Sequence, residues 1–291
     1  SPVEQVHYTD EQVQSILLKN GLALHTKSVV LATGGKSVPR TGSTGDGYPW
    51  AEQAGHTITE LYPTEAALTS REPFIVDRTL QGLSLKDVEL TLWNPKNKKI
   101  IAQEGDMIFT HFGLSGPAAL RCSQFVVKGL KKFNTSSLLL TIDLFPKQNT
   151  EHLKQQLQEK IKKEPKKQCK NLLKGIVPER LIPLLLNQVE INEDRLGSEL
   201  PPAQIETLCK LAKAMPVYIN GTRSLEEAFV TGGGIHLKEV DPKTMGSKKM
   251  EGLYFCGEIL DIHGYTGGYN ITAAFVTGHT AGTHAAQYAI S

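Results

Sequence analysis

The sequence has few cysteines, little net charge and no long apolar run, and each absence excludes a class of protein. The four cysteines lie far apart and form no CxxC pair, which argues against a zinc site or a dithiol redox centre. No metal is therefore expected. A formal net charge of +2 is too small to predict nucleic acid or an anionic membrane as partner. No apolar stretch approaches the roughly 18–20 residues that cross a bilayer.

The N-terminus has neither an initiator methionine nor a secretion signal. It opens Ser1-Pro2-Val3-Glu4, with no charged segment followed by an apolar one. We therefore expect a cytoplasmic protein whose chain starts inside a longer gene product.

The pattern of the chain changes twice, from β/α to an insert and back. The run Val29–Leu31 is continuously apolar and ends in glycines, which is typical of a strand buried on both faces of a parallel sheet. Short β-branched and aromatic runs follow, then leucines at helical spacing. Three consecutive domains are the alternative, but the end segments would be small. The pattern favours one α/β domain of residues 1–62 and 216–291, interrupted by residues 63–215, which are β-rich over 63–147 and helical over 148–215.

Three glycine-rich segments follow predicted strands, at residues 32–35, 257–258 and 264–270. Ligands of open α/β sheets lie at the carboxyl ends of strands, where glycine allows close approach and a helix start favours anions. Each segment alone is equally compatible with a simple turn, but their joint occurrence favours a ligand. A stripe of small residues, Ala274, Gly278 and Gly282, follows on the last helix, where it permits close packing on a sheet or on a planar cofactor.

Five motifs in order carry a resemblance to a known family. They are residues 30–37 (VLATGGKS), 41–48 (TGSTGDGY), 109–117 (FTHFGLSGP), 229–234 (FVTGGG) and 252–270 (GLYFCGEILDIHGYTGGYN). Together they resemble the BaiN/RdsA (YhiN-like) family of bacterial NAD(P)/FAD-dependent oxidoreductases, over nearly the whole chain. The resemblance implies part of a glutathione-reductase-type FAD-binding domain, interrupted by an inserted β-barrel plus helical domain.

The resemblance also implies which residues contact the cofactor. Val3 corresponds to a position beside the adenine, and the glycine segments to positions along the pyrophosphate, the ribityl chain and the isoalloxazine edge. The implied FAD-binding residues are Val3, Thr33, Gly34, Gly35, Lys36, Thr44, Gly45, Asp46, Gly47, Gly257, Glu258, Asp261, Gly267, Gly268, Asn270 and Ile271.

The sequence departs from the family pattern at its start, where the strand–GxGxxG–helix segment is absent. The chain therefore corresponds to the C-terminal part of such a protein. The predicted function is an FAD-dependent oxidoreductase in which NAD(P)H supplies hydride, through the flavin, to a small organic molecule or oxygen. An oxidase, a redox-responsive binding protein and an inactive fragment remain alternatives. Candidate catalytic residues are His263, Tyr265 and His111, although loop residues of this kind more often have a structural role. The substrate, the preferred nicotinamide and the oligomeric state are not predicted.

Overall fold

The computed structural model describes residues 1–291, which divide into two compact units. Unit 1 joins both ends of the chain, Ser1–Ala66 and Arg223–Ser291, and unit 2 is the continuous stretch Ala67–Thr222. None of the helices combines the length and the apolarity that a bilayer crossing requires.

The strands are β1 (Val3–Thr9), β2 (Gln12–Leu18), β3 (Ala23–His25), β4 (Val29–Leu31), β5 (Tyr62–Thr64), β6 (Leu68–Ser70), β7 (Ser84–Trp93), β8 (Lys99–Phe109), β9 (Gly113–Ser115), β10 (Leu138–Asp143), β11 (Met215–Thr222), β12 (Val230–Gly232) and β13 (Leu253–Phe255). The helices are α1 (Gly47–Gln53), α2 (Pro73–Val76), α3 (Pro117–Phe133), α4 (Thr150–Lys163), α5 (Cys169–Leu173), α6 (Ile182–Gln188), α7 (Pro202–Lys213) and α8 (Tyr269–Ile290).

The first three strands of unit 1 form an antiparallel sheet in the order β1-β2-β3. Asp10 and Glu11 form the first turn with φ of 52° and 59°, and Gly21 adopts φ of 83° in the second. Asn20-Gly21 connects the antiparallel strands β2 and β3, and a tight turn of this kind favours residues that tolerate positive φ. Val6 and Val13 of this sheet enter the unit's main core beside Leu31.

Strands β4 and β13 form a parallel pair, with Val29 opposite Leu253 and Leu31 opposite Phe255. The strand predicted at Val29–Leu31 is confirmed, but its burial on both faces is not: Leu31 is buried, whereas Val29 and Val30 are half-buried. The reason is that β4 pairs along one edge only, with β13. The two strands run in the same direction, so their carboxyl ends lie side by side.

Helix α8 packs against this pair through small side chains. Ala281 and Ala285 are buried in one cluster with Tyr254 and Cys256, and Gly278 lies beside the Cys256 sulfur. Tight helix–strand packing thus accounts for Gly278 of the small-residue stripe. Gly282 differs, since a β-carbon there would meet nothing within 4 Å.

Unit 2 contains a closed barrel with strand order β10-β11-β6-β9-β8-β7. Its core continues into the helices that follow, so the barrel and the helical region share one apolar interior. Strand β11 alternates buried and exposed side chains and pairs Ile219 with Leu138. The sequence assigned residues 216–222 to the C-terminal α/β part because the helical pattern ends at that point, but the structure places them in the last barrel strand.

The buried histidine of unit 1 gives its stability a specific pH dependence. His56 is 4% exposed, its Nε2 lies 2.6 Å from Ser247 Oγ, and its ring packs edge-on against Phe255. Burial lowers the pKa of His56 below its ordinary value. The folded state therefore binds less proton than the unfolded state, and stability is lost as pH falls through about 6.5.

We expect His56→Gln to flatten the fall in unfolding free energy between about pH 7 and 5, by at most about 1.4 kcal/mol per pH unit. Urea unfolding at several pH values measures this slope. Glu239 does not contribute to this slope, because its pKa is lowered to about 2. The stability that its carboxylate contributes is lost only below the ordinary carboxylate range. An unchanged slope in the variant would rule out His56 as the source.

Candidate functional site

The loop after β4 is tied to β12 by a single threonine. Thr231 Oγ1 accepts hydrogen bonds from the backbone N–H of Lys36 at 2.8 Å and of Ser37 at 3.1 Å. A β-carbon on Gly35 would lie 2.7 Å from Thr231 Cβ and 2.8 Å from Glu258 Oε1. Only glycine fits this approach, so the first glycine segment is held at a fixed distance from the second.

The turn after β13 completes this contact from the other side. Glu258 Oε1 accepts the backbone N–H of Thr231 at 2.6 Å, and Gly257 turns the chain with φ of 75°. Glu258 thus links the carboxyl ends of β4, β12 and β13. The carboxylate of Asp261 has a different partner, since its Oδ2 accepts the hydroxyl of Thr59 at 3.0 Å.

The third glycine segment is closed by the side chain of Asn270. Its Oδ1 accepts the N–H of Gly264 at 2.7 Å, and its Nδ2 donates to the carbonyl of Gly264 at 2.9 Å. Gly267 and Gly268 adopt φ of 125° and 97°, and α8 starts directly after them. No side chain caps the helix, so its first backbone N–H groups remain available to a ligand.

The second and third glycine segments border one cleft of about 180 Å³. Gly257 meets α8 there: its N–H donates to Thr277 Oγ1 at 3.0 Å, and a β-carbon would lie 3.7 Å from that of Ala274. The structure thus brings the second glycine segment to the first turns of the last helix. The lining residues are Gly257, Glu258, Ile262, Asn270, Ile271, Ala273, Ala274 and Thr277.

The predicted contact loop of residues 44–47 packs on the same strand ends. A β-carbon on Gly47 would overlap Thr33 Oγ1 and lie 2.6 Å from Ile259 Cδ1, and one on Gly45 would lie 3.4 Å from the Lys36 side chain. Thr44 and Asp46 belong to this loop, and Asp46 precedes α1 without capping it by its side chain. The other predicted residue, Val3, lies in the separate β1-β2-β3 sheet, opposite Leu18.

Two hydroxyl groups in this region are buried without a hydrogen-bond partner, Thr33 Oγ1 and the Tyr48 hydroxyl. Burial raises the pKa of Tyr48, and the negative charges of Glu258 and Asp261 raise it further. Tyr48 therefore remains a neutral phenol that can donate. Buried hydroxyls without protein partners, beside glycine turns and an uncapped helix, fit an elongated ligand rich in acceptor oxygens, as a dinucleotide is.

Two of the three catalytic candidates lie in unit 1. His263 Nε2 lies 2.8 Å from the hydroxyl of Tyr62 in β5, and Tyr265 follows in the same turn. His111 belongs to unit 2, where its ring packs edge-on against Phe112. The structure brings His263 and Tyr265 to the third glycine segment, and it assigns His111 to a different compact unit.

Three residues of the site were missed by sequence reasoning. Glu65 is 2% exposed, has φ of 51°, and accepts the N–H of Thr266 at 3.0 Å. Tyr62 and Thr231 hold His263 and the β4 loop, as described above. The motif at 229–234 contains Thr231, which was a usable signal, whereas nothing local distinguishes Tyr62 or Glu65.

Comparison with known proteins gives one family match and several relatives. The model of the HI0933-like protein barrel and H2TH domain matches residues 62–230. A 3-dehydro-bile acid delta(4,6)-reductase from Clostridium scindens is 31% identical over 96% of this chain and 69% of its own length. Ribosomal RNA dihydrouridine synthases from Haemophilus influenzae and Escherichia coli are 32% and 33% identical, over 94% and 88% of this chain and 64% and 60% of their own lengths. The chain thus spans about two thirds of the length of these relatives.

The family match agrees with the architecture described above. The matched stretch begins in β5, contains all six barrel strands and helices α2–α7, and ends at the first residue of β12. The predicted architecture, an α/β unit interrupted by an inserted β-barrel plus helical domain, is confirmed.

Proposed function

The chain belongs to the HI0933-like family, and from this membership we propose that it acts in an FAD-dependent oxidoreductase. NAD(P)H is the proposed electron donor, and an organic molecule is the proposed acceptor. Membership confirms the family resemblance of the five motifs. The donor and the acceptor are inferences from chemistry.

The names of the relatives favour one type of acceptor. A delta(4,6)-reductase and a dihydrouridine synthase both denote enzymes that add hydrogen to a carbon–carbon double bond. A double bond conjugated to a carbonyl accepts hydride readily, since the carbonyl takes up the developing charge. We therefore propose a conjugated double bond as the acceptor of this protein also.

The residues that would hold FAD are those of the three glycine segments and the loop that packs on them. FAD, when bound, supplies the two-electron carrier that passes hydride between donor and acceptor. Gly35 and Gly257 would let the backbone approach it, and the Thr33 and Tyr48 hydroxyls would donate to its acceptor oxygens. Asn270 would hold the third segment in place through its two bonds to Gly264.

The uncapped start of α8 gives the site an electrostatic role. Its first backbone N–H groups carry partial positive charge, which would stabilise a negative charge in the cleft by about 0.3–1 kcal/mol, or up to about 2 if the site is partly buried. Asn270 and Ile271 line the cleft at this position. His263, held by Tyr62, and Tyr265 are the proposed proton-carrying groups beside the turn.

The observation that carries the proposal is that the turn after β13 and the start of α8 border one cleft, while the distant loop after β4 is held against the same turn through Thr231 and Glu258. The test is anaerobic titration of the purified protein with FAD and then with NADH or NADPH. We expect shifted visible flavin bands on binding, bleaching by one nicotinamide, and recovery of colour on adding a small α,β-unsaturated ketone.

Each outcome of this titration decides between functions. Absence of flavin binding would contradict the proposal, as would bound flavin that neither nicotinamide bleaches. Recovery of colour with oxygen but with no unsaturated ketone would favour an oxidase that releases hydrogen peroxide.

A further inference from the structure

Two segments of unit 1 that are distant in sequence run side by side next to the start of α8. The hydroxyl of Tyr62 lies 2.8 Å from His263 Nε2. Glu65 Oε2 accepts the backbone N–H of Thr266 at 3.0 Å, and both pairs are separated by the same 201 positions, so the two segments run in the same direction. Strand β5, which contains Tyr62, is itself paired with β12. Residues 263–266 are therefore held against a segment that is fixed by its own sheet.

The segment that is held in this way has little stiffness of its own. Three of the five residues from 264 to 268 are glycine, and glycine allows many backbone conformations. Two side chains from outside the segment restrain it: Asn270 binds its first residue, and Glu65 binds Thr266. Tyr265 lies between these two points. The position of Tyr265 therefore depends on both restraints.

Glu65 is an unusual residue for its place in the fold. It is 2% exposed, and its φ of 51° lies in the left-handed region, which residues with a β-carbon rarely adopt. Its backbone carbonyl accepts the N–H of Phe229 at 3.3 Å, which holds the chain in this conformation. Burial of a carboxylate costs free energy unless hydrogen bonds satisfy it. Neither the burial nor the backbone conformation favours glutamate at this position, so its bond to Thr266 is the feature that explains the side chain.

We propose that Glu65 is a positioning residue of the oxidoreductase reaction. Its carboxylate acts through the Thr266 N–H to fix Tyr265 beside the acceptor. Strained backbone of this kind is concentrated at functional sites, where the surrounding structure maintains it. The inference rests on the proposed function, in which Tyr265 and His263 are the proton-carrying groups.

The proposed reaction makes one half of the catalytic cycle sensitive to this restraint. When hydride adds to one carbon of a conjugated double bond, the neighbouring carbon takes up a proton. A displaced proton donor therefore slows reduction of the acceptor. The preceding transfer of hydride from NAD(P)H requires no such donor and should be unaffected.

Glu65→Gln and Glu65→Asn form a matched pair of variants. Both place an amide at residue 65, but asparagine is one methylene shorter and does not reach Thr266, whereas glutamine keeps an acceptor oxygen at the original length. Asparagine tolerates the left-handed conformation. Glu65→Gly adopts positive φ freely, so it repeats the loss of the bond if the asparagine variant folds poorly. Glu52→Ala, which removes an exposed carboxylate of the same unit, is the control.

The test follows the two halves of the cycle separately, by stopped-flow absorbance at saturating FAD. The first is bleaching of the flavin by NADH or NADPH, and the second is the return of colour on adding cyclohexenone. In Glu65→Asn and Glu65→Gly we expect colour to return about tenfold to a hundredfold more slowly, while the bleaching rate changes by less than about twofold. Glu65→Gln and Glu52→Ala should keep both rates of the parent protein.

Hydrogen exchange of the same variants, read by mass spectrometry, provides a measurement that does not require activity. The Thr266 N–H loses its protein partner in Glu65→Asn, so we expect its exchange to be faster by at least about tenfold. Glu65→Gln should leave this exchange unchanged. The comparison separates failure of this inference from failure of the proposed function.

Three results would overturn the role of Glu65. The first is an unchanged return of colour in the asparagine and glycine variants. The second is a glutamine variant as slow as the asparagine variant, which would assign the effect to the charge and not to the hydrogen bond. The third is equal slowing of both halves of the cycle, which would indicate a purely structural residue. A parent protein that neither nicotinamide bleaches would contradict the proposed function itself, and this role with it, even where exchange shows that Glu65 holds the turn.

Discussion

Gly35→Val should abolish FAD retention while leaving the barrel unit folded. Even a single β-carbon at residue 35 would lie 2.7 Å from Thr231 Cβ and 2.8 Å from Glu258 Oε1. Valine must therefore displace the β4 loop and break the bonds from Lys36 and Ser37 to Thr231. We expect FAD affinity to fall by at least about a hundredfold, and the unfolding free energy to fall by about 1–3 kcal/mol, the usual cost of overpacking. Flavin absorbance after gel filtration and urea unfolding measure the two effects.

The matched control for this change is Gly282→Ala on α8. A β-carbon there meets nothing within 4 Å, and alanine favours a helix over glycine by about 1 kcal/mol. The variant should retain FAD and be as stable as the parent or slightly more so. Full flavin retention by Gly35→Val would contradict the placement of the first glycine segment against the cofactor.

Asn270→Ala should give the second large loss. It removes two hydrogen bonds to Gly264, at 2.7 and 2.9 Å, that close the turn before α8. Each such bond contributes about 1 kcal/mol, so we expect about 2 kcal/mol less stability. FAD affinity should fall about tenfold to a hundredfold, because the start of α8 loses its fixed position. Fluorescence titration with FAD checks this.

Thr272→Ala in the same first turn of α8 is the control, since its side chain is exposed and lies outside the cleft lining. It should bind FAD as the parent protein does. Equal affinity of the Asn270 and Thr272 variants would show that the turn does not shape the site.

Local patterns in the sequence were sufficient to predict much of unit 1. The apolar run at Val29–Leu31 and the glycines after it predict β4 and its turn, and the second such run, at Leu253–Phe255, predicts β13. Helix α8 starts at Tyr269, at the end of the glycine-rich segment 264–270. These features depend on residues that are neighbours in the sequence, so a local sequence pattern is sufficient to predict them.

The parts that could not be predicted depend on contacts between distant residues. Thr231 meets Lys36 across 195 positions, and Tyr62 meets His263 across 201. Two further hydrogen bonds also depend on the packing of loops: the Thr231 N–H donates to Glu258, and the Thr59 hydroxyl donates to Asp261. The predicted domain boundary after residue 215 was wrong for a related reason. Strand β11 follows the helices in sequence but pairs with β10 and β6 of the barrel, and its own residues do not indicate these partners.

Hydrogen exchange of the FAD-titrated protein, read by mass spectrometry, tests the central claim most directly. The account predicts that FAD slows exchange in three segments together, residues 33–36, 257–258 and 270–271, while the β7–β8 hairpin of the barrel is unchanged. Protection of only one of the three segments, or protection confined to the barrel, would contradict a single cofactor held where these segments meet.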